Sequence, residues 1–127
     1  MKLAVTGATG FIGSHSAAAL LDAGHELRLL VRDAAKAKRV FEALGRETPD
    51  CVVGDVTDAE SVAAALEGCD GVLHAAALVA LDAARAKAVE RTNVLGTRLV
   101  LEEAERRGLA HRVYVSSASA LFEPGSG

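Results

Sequence analysis

Short apolar runs alternate along this chain with stretches in which apolar residues recur every three or four positions. The runs are typical of buried β-strands, and the periodic stretches are typical of amphipathic helices. Strands are predicted over residues 2–6, 26–32, 51–53, 72–75 and 112–116. Helices are predicted over residues 11–23, 33–44, 58–66 and 83–107. Asp33 is the expected N-cap of the second helix, and Thr57 or Asp58 that of the third.

The alternation of strands and helices decides the expected fold class. Strands that alternate with helices form βαβ units, whose right-handed crossovers build a parallel sheet with helices on both faces. The second predicted strand is almost continuously apolar, as a strand covered on both faces should be. We therefore predict an α/β protein with a doubly wound parallel sheet. At 127 residues the chain has the length of one domain.

Composition and charge exclude several classes of protein. Hydrophobic residues make up 50% of the chain and charged residues 24%, which excludes a disordered protein. The net charge of −3 and the 3% aromatic content argue against a nucleic-acid partner. The apolar runs before Gly7 and over residues 71–81 are too short to span a bilayer. Cys51 and Cys69 do not make a disulfide scaffold, and no residues have metal-ligand spacing. We expect a soluble cytoplasmic protein without a membrane or metal partner.

The sequence TGATGFIG lies between the first predicted strand and the first predicted helix. In such a loop Gly7 allows the tight turn, Gly10 lets a pyrophosphate approach the backbone, and Gly13 lets the helix pack on the sheet. The free N–H groups near Phe11 and Ile12, at the positive end of the helix dipole, would hold the phosphates. The loop therefore predicts a dinucleotide site.

The Gly-x-x-Gly-x-x-Gly spacing of this loop resembles that of the extended short-chain dehydrogenase/reductase family. The family includes NAD-dependent epimerases/dehydratases, 3β-hydroxysteroid dehydrogenases and dihydroflavonol reductase-like enzymes. Four later segments are similar to its motifs in the same order: GDVTD, HAAA, TNVLGT and VYVSS. The resemblance extends over the whole chain but matches only the N-terminal half or less of the family. It implies a Rossmann-like domain that binds NAD or NADP.

The resemblance also implies roles for residues outside the glycine loop. Asp55 would accept a hydrogen bond from the adenine amino group, and the backbone of Val56 would contact the ring. Asn93 would support the loops around the active site. His74 is expected to pack near a strand end rather than to act as a base. The loop and the resemblance together make these the candidate dinucleotide-binding residues: Gly7, Thr9, Gly10, Phe11, Ile12, Gly13, Arg32, Lys36, Asp55, Val56, Ala75, Ala76, Ala77 and Asn93.

The end of the second predicted strand bears on the choice of cofactor. An acidic residue there holds the ribose 2′-hydroxyl of NAD, whereas a nearby Arg accommodates the 2′-phosphate of NADP. Arg32 stands near the expected spacing, and Lys36 adds a second positive charge one helical turn later. We expect NADP in preference to NAD. If the Asp33 carboxylate instead turns toward the ribose, NAD is favoured.

This sequence contains only part of the set of catalytic residues that the family uses. The family uses a Ser or Thr at the end of strand five and a Tyr-x-x-x-Lys pair on the next helix. Ser117 matches the Ser by resemblance, with Ser119 as a second candidate. The only tyrosine is Tyr114, and all four lysines precede it, so the pair is absent from this chain.

Two hypotheses about function follow from this gap. In the first, residues 1–127 are the incomplete N-terminal part of an oxidoreductase or epimerase that transfers hydride to or from an alcohol or carbonyl. In the second, the chain is a stand-alone redox-sensing or regulatory module that binds the dinucleotide without turnover. The chain alone should be inactive in either case. The apolar segment 78–82 slightly favours a steroid-like or flavonoid-like small-molecule substrate, and residues 83–107 would serve a homodimer.

Overall fold

A five-stranded parallel β-sheet organises the chain in the computed structural model, which describes residues 1–79 and 82–117. The strands are β1 (Lys2–Thr6), β2 (Glu26–Val31), β3 (Asp50–Val53), β4 (Gly71–His74) and β5 (His111–Tyr114). They lie in the order β3-β2-β1-β4-β5, and every neighbouring pair is parallel. β2 and β3 therefore lie on one side of β1, and β4 and β5 lie on the other.

Helices connect the strands and cover the sheet. They are α1 (Phe11–Asp22), α2 (Ala34–Ala43), α3 (Ala59–Leu66), α4 (Ala86–Glu90) and α5 (Gly96–Arg106). Asp33 caps α2 by accepting a hydrogen bond from the Lys36 N–H at 3.1 Å, and Asp58 caps α3 in the same way. The predicted α/β class with a doubly wound parallel sheet is confirmed.

Apolar side chains fill both sides of the sheet, as its continuous hydrophobic strands require. On one side, Phe41 and the alanines of α1 and α2 pack against β1 and β2. On the other side, Val62 and Leu66 of α3 and Val100 of α5 pack against the opposite face. The strand ends at the carboxyl edge of the sheet are thus held by a core on each side.

The predicted long helix over residues 83–107 is wrong in detail. A 3₁₀ turn over Ala83–Arg85 leads into α4, and a π-helical turn over Arg91–Leu95 separates α4 from α5. Two tertiary contacts account for the wider turn. Asn93 is hydrogen-bonded to Leu78 in the loop that follows β4, while Gly96 packs directly on Val56. The extra residue that a π-helical turn contains lets both Asn93 and Gly96 face their partners.

Strand ends also differ from the prediction by one or two residues. β4 ends at His74 rather than at Ala75, and the N–H groups of the two residues that follow are both bound by Thr6. The Ala75 N–H donates to the Thr6 carbonyl at 3.2 Å, and the Ala76 N–H donates to the Thr6 hydroxyl at 3.2 Å. β5 covers His111–Tyr114 instead of 112–116. Beyond the end of the ladder, the Ala76 N–H is thus bound by the side-chain hydroxyl of Thr6 instead of by a backbone carbonyl.

No helix within residues 1–79 and 82–117 combines the length and the apolarity that a membrane span requires. In the same two ranges, no three His, Cys, Asp or Glu side chains come together as a metal site would need. Cys51 and Cys69 both carry free thiols.

Candidate functional site

A cleft of about 240 Å³ opens at the carboxyl edge of the sheet, next to the point between β1 and β4 where the strand order reverses. Ligands of doubly wound sheets bind at this switch point, outside the carboxyl ends of the strands. The loops that follow β1, β2, β3 and β4 all contribute to the walls. The cleft therefore collects residues that are far apart in the sequence.

The loop after β1 is packed against the loop after β4. Gly7 has a φ of +72°, in the left-handed region that favours glycine. A Cβ on Gly7 would lie 2.5 Å from backbone atoms of Ala75 and Ala76. The two loops thus approach each other backbone to backbone, and no side chain can enter between them.

Gly10 occupies a different environment, although it belongs to the same loop. It is the N-cap of α1 with ordinary extended dihedrals, φ −85° and ψ 172°. A Cβ there would meet only the Gly7 carbonyl oxygen, at an ordinary contact distance of 3.4 Å. Within the described residues, neither backbone conformation nor packing requires glycine at this position. Gly10 also faces the cleft.

The amino end of α1 supplies unpaired hydrogen-bonding capacity beside Gly10. The first intrahelical bond runs from the Ser14 N–H to the Gly10 carbonyl at 2.9 Å. The N–H groups of Phe11, Ile12 and Gly13 precede it, as in every helix start. Partial positive charge gathers at such an end, so the edge of the cleft favours an anion.

Asp55 forms the wall that follows β3. Its Oδ1 accepts hydrogen bonds from the N–H of Thr57 at 2.9 Å and from the Thr57 hydroxyl at 2.8 Å. The backbone N–H of Thr57 is the main cause that lowers the pKa of the Asp55 carboxyl, followed by the Thr57 hydroxyl and by Arg32 and Arg91. Asp55 is therefore held as a carboxylate, and neither Thr57 bond uses its Oδ2.

Arg32 and Lys36 form the wall that follows β2, and both side chains are exposed at the cleft. Asp33 lies between them in sequence but does not line the cleft. Its Oδ1 is used to cap α2. This edge of the cleft is consequently cationic.

A buried histidine lies beneath the loop that follows β4. The His74 side chain is 1% exposed, and its Nδ1 lies 2.7 Å from the Thr6 hydroxyl. Its Nε2 lies 3.1 Å from the hydroxyl of Thr97 on α5. Burial lowers the pKa of His74 to about 4, so the ring is neutral at physiological pH. Sequence reasoning had no basis for finding Thr6 and Thr97 as its partners.

Asn93 holds the next part of the same loop. Its Oδ1 accepts from the Leu78 N–H at 2.8 Å, and its Nδ2 donates to the Leu78 carbonyl at 3.0 Å. This pair of bonds joins the π-helical turn to the wall after β4. Asn93 itself does not line the cleft, whereas its neighbour Thr92 does.

The structure brings most of the sequence candidates together. Those that line the cleft are Gly7, Thr9, Gly10, Arg32, Lys36, Asp55, Val56, Ala75, Ala76 and Ala77. Phe11 and Ile12 are exposed beside it, Gly13 is buried behind the loop, and Ser117 follows β5 without lining the cleft. Ser119 lies outside the described residues.

Six lining residues escaped the sequence prediction: Ala8, Leu30, Val31, Gly54, Leu78 and Thr92. Gly54 and Thr92 begin the segments GDVTD and TNVLGT, which could have marked them. Ala8 lies within TGATGFIG, which could have marked it as well, whereas Leu30, Val31 and Leu78 have apolar side chains and belong to none of these motifs.

The model of the NAD dependent epimerase/dehydratase family matches residues 3–127. The chain belongs to this family. The predicted resemblance is therefore confirmed. Because the match begins within β1 and covers the described loops, the cleft of this epimerase/dehydratase-family chain is part of the matched region.

Two curated relatives illustrate the range of the family. A protein of Synechocystis sp. named "Putative dihydroflavonol 4-reductase" is 37% identical over 97% of this chain and 34% of its own length. The 3 beta-hydroxysteroid dehydrogenase/Delta 5-->4-isomerase of Mycobacterium tuberculosis is 33% identical over 95% of this chain and 33% of its own length. The chain thus spans about a third of the curated relatives that it matches.

A solved structure agrees with the fold. UDP-glucose-4-epimerase from Stenotrophomonas maltophila, crystallised with bound NAD and formylated UDP-arabinopyranose, superimposes with a TM-score of 0.80 at 28% identity. The superposition covers 98% of this chain and 39% of the epimerase chain.

Proposed function

We propose that the cleft binds a nicotinamide dinucleotide and presents it for hydride transfer to or from an alcohol or carbonyl. Gly10 carries this proposal. It is a cleft-lining residue that neither its backbone dihedrals nor its neighbours require to be glycine. A ligand that approaches the backbone closely supplies the missing reason.

The surroundings of Gly10 indicate the kind of ligand. The helix end favours phosphate, the Asp55 carboxylate can accept from an adenine amino group, and the small side chains of Ala75, Ala76 and Ala77 leave room for ribose and nicotinamide. The bound NAD of the Stenotrophomonas epimerase supports the same interpretation. The dinucleotide would supply or accept the hydride, while the residues of this chain bind and orient it.

Replacing Gly10 with aspartate tests the proposal without weakening the helix. Aspartate is a preferred N-cap, so Gly10→Asp should unfold no more easily than the original protein. Its carboxylate would occupy and repel the phosphate position, and we expect dinucleotide affinity to fall by about a hundredfold or more. Isothermal titration calorimetry measures the affinity, and Ala19→Glu on the exposed far part of α1 controls for the added charge. Equal affinity in Gly10→Asp would remove the phosphate-loop assignment.

We further propose that NADP is bound in preference to NAD. Arg32 and Lys36 face the cleft where a 2′-phosphate would lie, and the Asp33 carboxylate, which could have held a 2′-hydroxyl, instead caps α2. The arrangement places two cations at this edge, and Asp55 on the adjoining wall also interacts with Arg32. Charged hydrogen bonds to phosphate are among the stronger polar contacts.

The double variant Arg32→Ala/Lys36→Ala should weaken NADP binding by about a hundredfold and NAD binding by less than about threefold. The backbone N–H of Lys36 remains available to Asp33, so the cap of α2 is kept. Fluorescence titration with both dinucleotides measures the ratio. Lys38→Ala/Arg39→Ala, on exposed positions of the same helix, makes the same change in charge and should leave both affinities alone. Equal losses for NAD and NADP would refute the 2′-phosphate assignment.

For the whole reaction we propose that Ser117 orients the substrate oxygen and that the proton-transfer pair is supplied from outside residues 1–127. General acid–base chemistry needs such a group, and the sequence contains no Tyr-x-x-x-Lys. The names of the two curated relatives support a flavonoid-like or steroid-like alcohol or ketone as substrate. The alternative, a stand-alone dinucleotide-binding module, predicts tight binding without turnover of such substrates by the protein as produced from its native gene, since residues 1–127 alone should be inactive in either case.

A further inference from the structure

The imidazole of His74 joins three elements of the fold at one point. It belongs to β4, one ring nitrogen contacts Thr6 at the end of β1, and the other contacts Thr97 on α5. The Thr6 hydroxyl in turn receives the N–H of Ala76, which lines the cleft. A chain of hydrogen bonds therefore runs from a helix on one face of the sheet to the wall of the cleft.

The hydrogen-bonding capacity of the two threonines, together with their burial, indicates the direction of this chain. The Thr6 oxygen already accepts the Ala76 N–H, and its own single proton points to His74 Nδ1 when that nitrogen is unprotonated. A neutral ring then carries its proton on Nε2 and donates it to Thr97. Each neutral tautomer leaves one threonine proton without an acceptor among the described hydrogen bonds, that of Thr97 in the Nε2–H form and that of Thr6 in the Nδ1–H form. Thr6 is fully buried whereas Thr97 is only partly buried, so the Nε2–H form leaves the less costly of the two unsatisfied.

We propose that His74 is a positioning residue for the cleft, acting as the Nε2–H tautomer that orients the Thr6 hydroxyl toward the Ala76 N–H. The backbone of Ala75 and Ala76 is thereby held against Gly7, where the two loops meet without side chains between them. His74 does not line the cleft, and both of its nitrogens are engaged by hydroxyls. Its role is to set the shape of the wall rather than to move a proton. The effect on ligand affinity rests on the proposed dinucleotide function.

Thr97 offers the sharpest test because it contacts the ring but does not line the cleft. Thr97→Val keeps the shape of the side chain and removes the hydroxyl, whereas Thr97→Ser keeps the hydroxyl. We expect Thr97→Val to raise the dinucleotide Kd about fivefold, the effect of one hydrogen bond, and Thr97→Ser to restore affinity to within about twofold. We also expect faster hydrogen exchange of the Ala76 amide in Thr97→Val. A Thr97→Val protein that loses thermal stability but keeps its Kd and its Ala76 protection would overturn the proposal.

A second measurement is independent of any ligand. ¹⁵N-edited NMR of the imidazole distinguishes a protonated Nε2 from a protonated Nδ1, and we expect the Nε2–H form in the unliganded protein. An Nδ1–H ring would overturn the proposal even if dinucleotides bind. Conversely, a protein that binds neither NAD nor NADP refutes the dinucleotide function alone, and the tautomer and the Ala76 exchange rate still decide the role of His74.

Discussion

Gly13→Ala should lower the free energy of unfolding by about 3 kcal/mol, at the upper end of what overpacking costs in a closely packed interior. Gly13 is buried in the first turn of α1, and its Cβ would overlap the carbonyl oxygen of Gly7. The carbonyl belongs to backbone that is already pressed against Ala75 and Ala76, so it has no room to retreat. The amino end of α1 would have to lift from the sheet. Urea unfolding followed by circular dichroism measures the loss.

The matched control is alanine at the neighbouring glycine of the same loop. Gly10→Ala adds the same methyl group at a position where it meets the Gly7 oxygen at 3.4 Å. Its cost should stay within about 1 kcal/mol, the usual penalty for alanine at an N-cap. If the two variants lose equal stability, the close approach of α1 to Gly7 is not what requires glycine at position 13.

Acid should destabilise the protein through His74 before the carboxylates are protonated. The ordinary pKa of 6.5 is lowered to about 4 in the folded state because the ring is buried. As the pH falls through 6.5, the unfolded chain binds a proton that the folded protein refuses until about pH 4. The neutral ring therefore makes its full contribution to the free energy of unfolding above pH 6.5, and this contribution is lost as the pH falls toward 4. The loss amounts to about 2 kcal/mol between roughly pH 7 and pH 5.

Unfolding in urea at a series of pH values measures this loss. His74→Asn keeps an acceptor near Thr6 but has no ionisable ring, so its unfolding free energy should be lower at neutral pH and nearly flat across the same interval. The carboxyls whose pKa is lowered, such as Asp55 and Asp58, lose their contributions at more acidic pH and do not obscure the comparison. An unchanged slope in His74→Asn would show that another group is responsible.

Most of the sheet could be predicted from the sequence because β1 to β4 are short, mainly apolar runs. β5 differs, since it begins with His111 and Arg112 and all four of its residues are exposed. Element ends were harder to predict because they depend on partners far along the chain. β4 stops at His74, where the Thr6 hydroxyl binds the next but one N–H, and the helix after Ala86 widens at Asn93 since that side chain is held by Leu78. No local pattern encodes either contact.

The residues of the candidate site could likewise be predicted only in part. Glycine spacing led to Gly10, charge led to Arg32, and the family resemblance led to Asp55. All three line the cleft, and the chemistry proposed for each follows from its residue type. The N-cap role of Asp33 was predicted from the sequence and is confirmed by its Oδ1 contact with the Lys36 N–H. Whether the carboxylate also turns toward a ribose could not be predicted, because that depends on the orientation of the side chain. Leu30 and Val31 line the cleft simply because β2 ends there.

The adjacency of β1 and β4 also sets an order of events during synthesis. Thr6 and His74 are separated by 68 positions, so the ribosome releases β1, β2 and β3 well before the partner of Thr6 emerges. In the nascent chain, the loop TGATGFIG is therefore exposed until the backbone of Ala75 and Ala76 is available to pack against it. The cleft that we propose for a dinucleotide is complete only after β4 has inserted beside β1. From that moment, the proposed ligand would stabilise the folded form and oppose its reopening.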